Sequence, residues 1–168
     1  AGGNSGESKI TNVKINGTVN SNFGVGGIVG LNQGGIFNST ADVSAVGGNE
    51  AAGIASANQG LIENASVSGS IDGSNSVGGV VGSNRGMVRQ ARSNAEINGT
   101  DFVGGLIGYN YNSTMLSFAS GSVTGVYTVG GLTGANSGNI TRTYATGSVT
   151  ADDRVGGLTG GSFQGGNV

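Results

Sequence analysis

Val25-Gly26-Gly27-Ile28-Val29-Gly30 decides how this chain folds, because the run returns five more times. Its copies open at Ala51, Val77, Val103, Val129 and Val155, each 26 residues after the last. Repetition at a fixed period of roughly 20–50 residues is the mark of a solenoid or repeat array. The second copy departs from the glycine pattern at Ala52 and Ser56, where a slight distortion of the coil is expected. Residues 1–24 read as the remainder of an earlier coil, since Ile10 precedes Ile36 and Val19 precedes Ala45 by the same interval. The chain is therefore one domain, 1–168, with coils beginning near 25, 51, 77, 103, 129 and 155.

Between the glycine runs the apolar positions alternate. Ser39, Ala41, Val43 and Ala45 are small or aliphatic, while Thr40, Asp42 and Ser44 between them are polar. Thr143, Ala145, Gly147 and Val149 repeat that inward face in a later coil, with Tyr144, Thr146 and Ser148 outward. A period of two specifies strand and not helix. The expected fold is all-β: a single-stranded β-solenoid of six to seven coils, with two or three short strands in each. At about 4.8 Å per coil the rod is on the order of 30 Å long. One coil buries too little to stand alone, so stability is collective.

Two columns of amides mark corners. Asn32, Asn58, Asn84, Asn110 and Asn136 share one position, where a left-handed turn and an amide-to-amide ladder are both expected. Asn12, Asn38, Asn64 and Gln90 form a second column that ends at Leu116. The pairs Gly26/Gly27, Gly78/Gly79, Gly104/Gly105, Gly130/Gly131 and Gly156/Gly157 fit either close backbone packing or positive φ.

Composition narrows the function. Charged residues are only 10% of the chain, which separates it from disordered chains of low hydrophobicity and high charge. With net charge −2 and no basic run, a nucleic-acid partner is not expected. No apolar run reaches the roughly 18 residues of a membrane span. The absence of cysteine removes disulfides and thiolate metal sites, and fits a bacterial extracellular protein. Opening at Ala1 without initiator Met or signal peptide, the sequence reads as a mature product or an excised fragment.

Histidine is also absent, which removes Ser-His-Asp and Cys-His chemistry together. The acids Glu63, Asp72, Glu96 and Asp101 fall at different points around the coil, and Asp152-Asp153 stand apart in a loop, so no carboxylate pair or calcium repeat forms. The glycine run lacks the spacing and the Lys-Ser/Thr follower of a phosphate loop. No catalytic residue, metal site or cofactor is expected. Glu63 and Arg89, 26 apart, should pair across adjacent coils.

Val129-Gly130-Gly131-Leu132-Thr133-Gly134-Ala135-Asn136-Ser137-Gly138-Asn139-Ile140, followed by Tyr144-Ala145-Thr146-Gly147-Ser148-Val149, resembles the GLUG motif, a short bacterial repeat. The resemblance runs over almost the whole chain. It implies display on a bacterial surface, because such repeats lie in adhesins and in the non-catalytic region of immunoglobulin A-cleaving metallopeptidases. It carries over no catalytic residue.

These readings point to a non-enzymatic, extracellular structural or adhesive module. Its candidate binding surface is an aromatic stripe: Arg92, Phe118 and Tyr144 at one outward position of three successive coils, with Tyr109 and Tyr111 in the middle one. The stripe suits a glycan or a protein partner, or packs across coils as part of a flat face. The alternative is a self-assembling fibre subunit, a homopolymer stacking end to end, since neither Ala1-Gly2-Gly3-Asn4 nor Gln164-Gly165-Gly166-Asn167-Val168 resembles a cap. Ice binding needs a regular threonine array. Thr146, Ser148 and Thr150 fit one, but Asp42, Ser44 and Val46 break it.

Overall fold

Residues 26 apart in sequence meet across nearly every strand ladder, because each coil repeats the same inward pattern and only that register buries it. Val77 pairs with Val103, Val103 with Val129 and Val129 with Val155, all in parallel. The computed structural model describes residues 2–163 and 165–168. Ala1 and Gln164, named above among the chain ends, lie outside the described residues.

The fold is the expected β-solenoid, with no helix among the described residues. Four parallel sheets run along it. The first begins with Gly3–Asn4, continues through Val29–Asn32, Ala55–Asn58, Val81–Asn84 and Ile107–Asn110, and ends with Thr133–Asn136 and Thr159–Ser162. The second runs from Lys9–Thr11 to Asn139–Thr141. The third opens with the long strands Lys14–Ser21, Thr40–Gly47 and Ser66–Asp72. The fourth runs from Val25–Gly26 to Arg154–Gly156.

Each coil thus has four strands where two or three were expected, because its strands are short and its corners many. From the fourth coil the long strand of the third sheet also divides, into Arg92–Ser93 and Glu96–Asn98, then Phe118–Ala119 and Val123–Thr124. Here Ser93 Oγ accepts the Ala95 N–H at 3.4 Å, a local bond that competes with the ladder. The next coils place Gly121 and Gly147 at this position, but the undivided strands Lys14–Ser21 and Ser66–Asp72 hold Gly17 and Gly69 there, so glycine alone does not divide the strand.

Inward residues stack by type. Ile36, Ile62 and Val88 form one buried row, Val77, Val103 and Val129 another, and Ile54, Val80, Leu106 and Leu132 a third. Two threonines interrupt such rows. Thr114 Oγ1 donates to Asn110 Oδ1 at 3.1 Å, whereas the Thr133 hydroxyl, between Ile107 and Thr159, is buried without a partner among the described residues.

The buried asparagines behave differently from expectation. None of Asn32, Asn58, Asn84, Asn110 and Asn136 is left-handed; each ends an extended strand and is fully buried. The Nδ2 groups of Asn32, Asn58, Asn84 and Asn110 each donate to the Oδ1 of the next coil at 2.7–2.9 Å, and Asn136, the last rung, donates to the Gly138 and Asn167 carbonyls. Several also hold the carbonyl two residues ahead, as Asn58 does with Gly60 O at 3.2 Å. The side chain therefore ties the following turn as well as the next coil. Asn4 belongs to this ladder and was missed, because it lies 28 residues before Asn32. Two extra residues widen that first corner, and a second widened corner places Asn167 against Asn139, again 28 apart.

The left-handed corner is the other column. Asn12, Asn38 and Asn64 take φ of 57°, 49° and 54°, Gln90 53°, and the conformation persists at Leu116 and Arg142, both 52°. The amide column ends at Leu116 as expected; the backbone geometry does not. The glycine pairs answer close packing, since none has positive φ and a Cβ at Gly104 would strike the Ile107 carbonyl and the Gly134 nitrogen. The second copy keeps its register despite Ala52 and Ser56, with Ala51 on Val77 and Ala55 on Val81.

Candidate functional site

Outward side chains of one column are carried to within a strand spacing of each other, so any surface site on this fold begins as a column. Arg92 pairs with Phe118 and Phe118 with Tyr144 along the third sheet. The Phe118 and Tyr144 rings lie parallel, 1° apart in tilt, with centroids at 4.9 Å. Arg92 Nε donates to Ser66 Oγ at 3.0 Å, which turns the guanidinium along the sheet. Ser66, Arg92, Asn94, Phe118 and Ser120 border a shallow depression of about 230 Å³. Donors, a ring face and hydroxyls thus converge there, an arrangement suited to a polar ligand with one apolar face.

Tyr109 and Tyr111 do not belong to this stripe, contrary to expectation. Tyr109 lies on the first sheet, between Ser83 and Ala135, and Tyr111 occupies the corner after it. Their rings stack at 4.0 Å and 6°. Phe102 meets Tyr109 edge-on at 5.2 Å, and Phe163 lies 6.1 Å from it. The Arg85 guanidinium sits over Tyr111 at 4.5 Å, a cation–π contact. Burial raises the Tyr111 phenol above its usual range, helped by Tyr109 and Glu50 and opposed by Arg85.

Phe102 and Phe163 were missed because they stand in other columns of the repeat. Their contacts run around the coil, whereas a fixed period aligns only residues along the rod. Phe102 also carries φ of 48°, strained for an aromatic residue, as does Ser76 one coil earlier. Asp101 Oδ1 accepts the Phe102 N–H at 2.9 Å and holds that bend.

The asparagine ladder is structural in its geometry, with every amide turned into the coil and none open to a ligand. The expected Glu63–Arg89 pair forms at 2.8 Å. Among the described residues no group of three or more acidic, histidine or cysteine side chains is placed to hold a metal ion. No family profile, curated protein sequence or solved structure matches the chain.

Proposed function

We propose that this chain is a non-enzymatic structural and adhesive module of a bacterial surface protein, a rod whose constant interior carries a variable outer face. The observation behind this reading is the division of labour within the repeat. Buried columns hold Asn, Val, Ile, Ala and Gly through successive coils, while outward columns change from coil to coil, as from Arg92 to Phe118 to Tyr144. A chain without histidine or cysteine lacks the usual nucleophile–base pairs, which favours binding over catalysis. Surface display rests on the resemblance to the GLUG motif.

The adhesive face of this proposal is Arg92, Phe118 and Tyr144. A glycan array and a panel of immobilised extracellular-matrix proteins, probed with wild type and the Phe118→Ala/Tyr144→Ala double variant, test it. Binding that the double variant loses supports the face. Equal binding by both, or none by either, removes it.

End-to-end assembly is the second reading, and one observation favours it. Ile10, Ile15, Val19 and Ile28 at one end of the stack, and Ala145, Val149, Ala151 and Leu158 at the other, are only partly buried. Among the described residues, each end presents strand edges and apolar surface that a further coil, of a longer chain or of a second copy, would cover. Light scattering and electron microscopy of the 168-residue chain decide between rods of one length and filaments.

A further inference from the structure

Of nine aromatic residues in the chain, five gather on one side of the rod: Phe102, Tyr109, Tyr111, Tyr127 and Phe163. Beside the stacked tyrosines three of them, Phe102, Tyr127 and Phe163, line an open cleft of about 390 Å³. Its polar walls are Asp101, Asp153 and Arg154. The repeat explains the pattern. Asp101, Tyr127 and Asp153 succeed one another at intervals of 26, so Tyr127 stands between two aspartates in its column, and all three line the cleft. Thr128 and Arg154, paired in the fourth sheet, continue the column of Phe102.

We propose that this cleft binds a neutral saccharide, a stretch of β-linked pyranose. The site lies on a different face from Arg92, Phe118 and Tyr144 and does not depend on the adhesive role given to them.

Three observations select that ligand. Tyr127 and Phe163 line the cleft with 52% and 40% of their surfaces exposed, and the negative π-clouds of such rings attract the slightly positive axial C–H groups of a pyranose. Carboxylates accept and a guanidinium donates, so Asp101, Asp153 and Arg154 together satisfy vicinal hydroxyls that both give and take hydrogen bonds. The charges disfavour one neighbouring chemistry: two carboxylates against one guanidinium leave the cleft net negative, so it repels an acidic sugar. The volume falls within the range of roughly 300–1,000 Å³ usual for small-ligand sites. Equatorially substituted β-glucose and β-N-acetylglucosamine units expose axial C–H groups on both faces, so they fit the rings of Tyr127 and Phe163 best.

Titration calorimetry with cellotetraose and triacetylchitotriose, and with tetragalacturonate as the acidic comparison, tests the site on the 168-residue chain. At least one neutral probe should bind at millimolar concentration or below, and Tyr127→Ala and Phe163→Ala should each weaken it by about tenfold or more. Asp101→Asn should weaken it as well, and the Phe118→Ala/Tyr144→Ala variant should bind as wild type does. Thermal melts establish that the variants remain folded; both replaced rings are exposed, so their loss leaves the interior intact. No binding of either neutral probe, binding unchanged in both ring variants, or a preference for tetragalacturonate overturns the proposal.

Discussion

At the scale of single residues, the left-handed corner separates what a position requires from what the sequence supplies. Six residues share φ near 50°, and only the first three are asparagine. Asn38 and Asn64 add an amide bond of 2.8 Å to the conformation they tolerate. Leu116 keeps the conformation without either advantage, and its side chain is 48% exposed. Left-handed geometry costs most residues roughly 1–2 kcal/mol, and asparagine less. Leu116→Asn should therefore stabilise the chain by about 1 kcal/mol, read as a rise in melting temperature; a fall would show that Leu116 packs in a way its exposure conceals. The column of amides was readable from spacing alone. Its conformation was not, because φ depends on which way the corner turns and the buried amide column looks the same in sequence.

At the scale of elements, the asparagine ladder joins each strand of the first sheet to the next coil and to its own following turn. Asn84 shows how much one rung carries. It accepts from Asn58 at 2.9 Å and from the Gly86 N–H at 3.2 Å, and donates to Asn110 at 2.8 Å and to the Ser113 carbonyl at 3.4 Å. Asn84→Ala removes all four bonds, at about 0.5–1.5 kcal/mol net each, so destabilisation on the order of 2–6 kcal/mol is expected in a denaturant melt. Asn84→Asp adds a pH dependence. The carboxyl can bond to Asn110 Oδ1 only while protonated, and burial further disfavours its charge, so its folded pKa lies above the unfolded value. The variant should be most stable below the unfolded pKa and lose stability as pH rises through the folded one. Wild type should show no such decline over that range, and equal pH profiles for the two chains would refute the ladder's role.

At the scale of the whole molecule, coils meet their neighbours and nothing else, so stability accumulates along the rod. Deleting residues 77–102 removes one period and leaves Ala51 facing Val103 in the same column. That chain should fold to the same type of far-ultraviolet circular dichroism spectrum with a lower melting temperature. Deleting 77–89 shifts every later column by half a period, which sets buried asparagine against the wrong sheet, and should abolish cooperative melting. If both deletions melt alike, register is not what holds the coils.

The sequence by itself determined the solenoid, its period, its inward columns and the Glu63–Arg89 pair, because each follows from residues a constant 26 apart. It also marked Arg92, Phe118 and Tyr144 as one column. Only the tertiary structure separated Tyr109 and Tyr111 from that column, and joined them to Phe102 and Phe163. It alone brought Asn4 into the ladder across a corner widened by two residues. The physical reason is common to all three. A repeat fixes neighbours along the rod, where the offset is constant. Neighbours around the coil depend on where each corner bends and how far each side chain reaches, and no single offset encodes that.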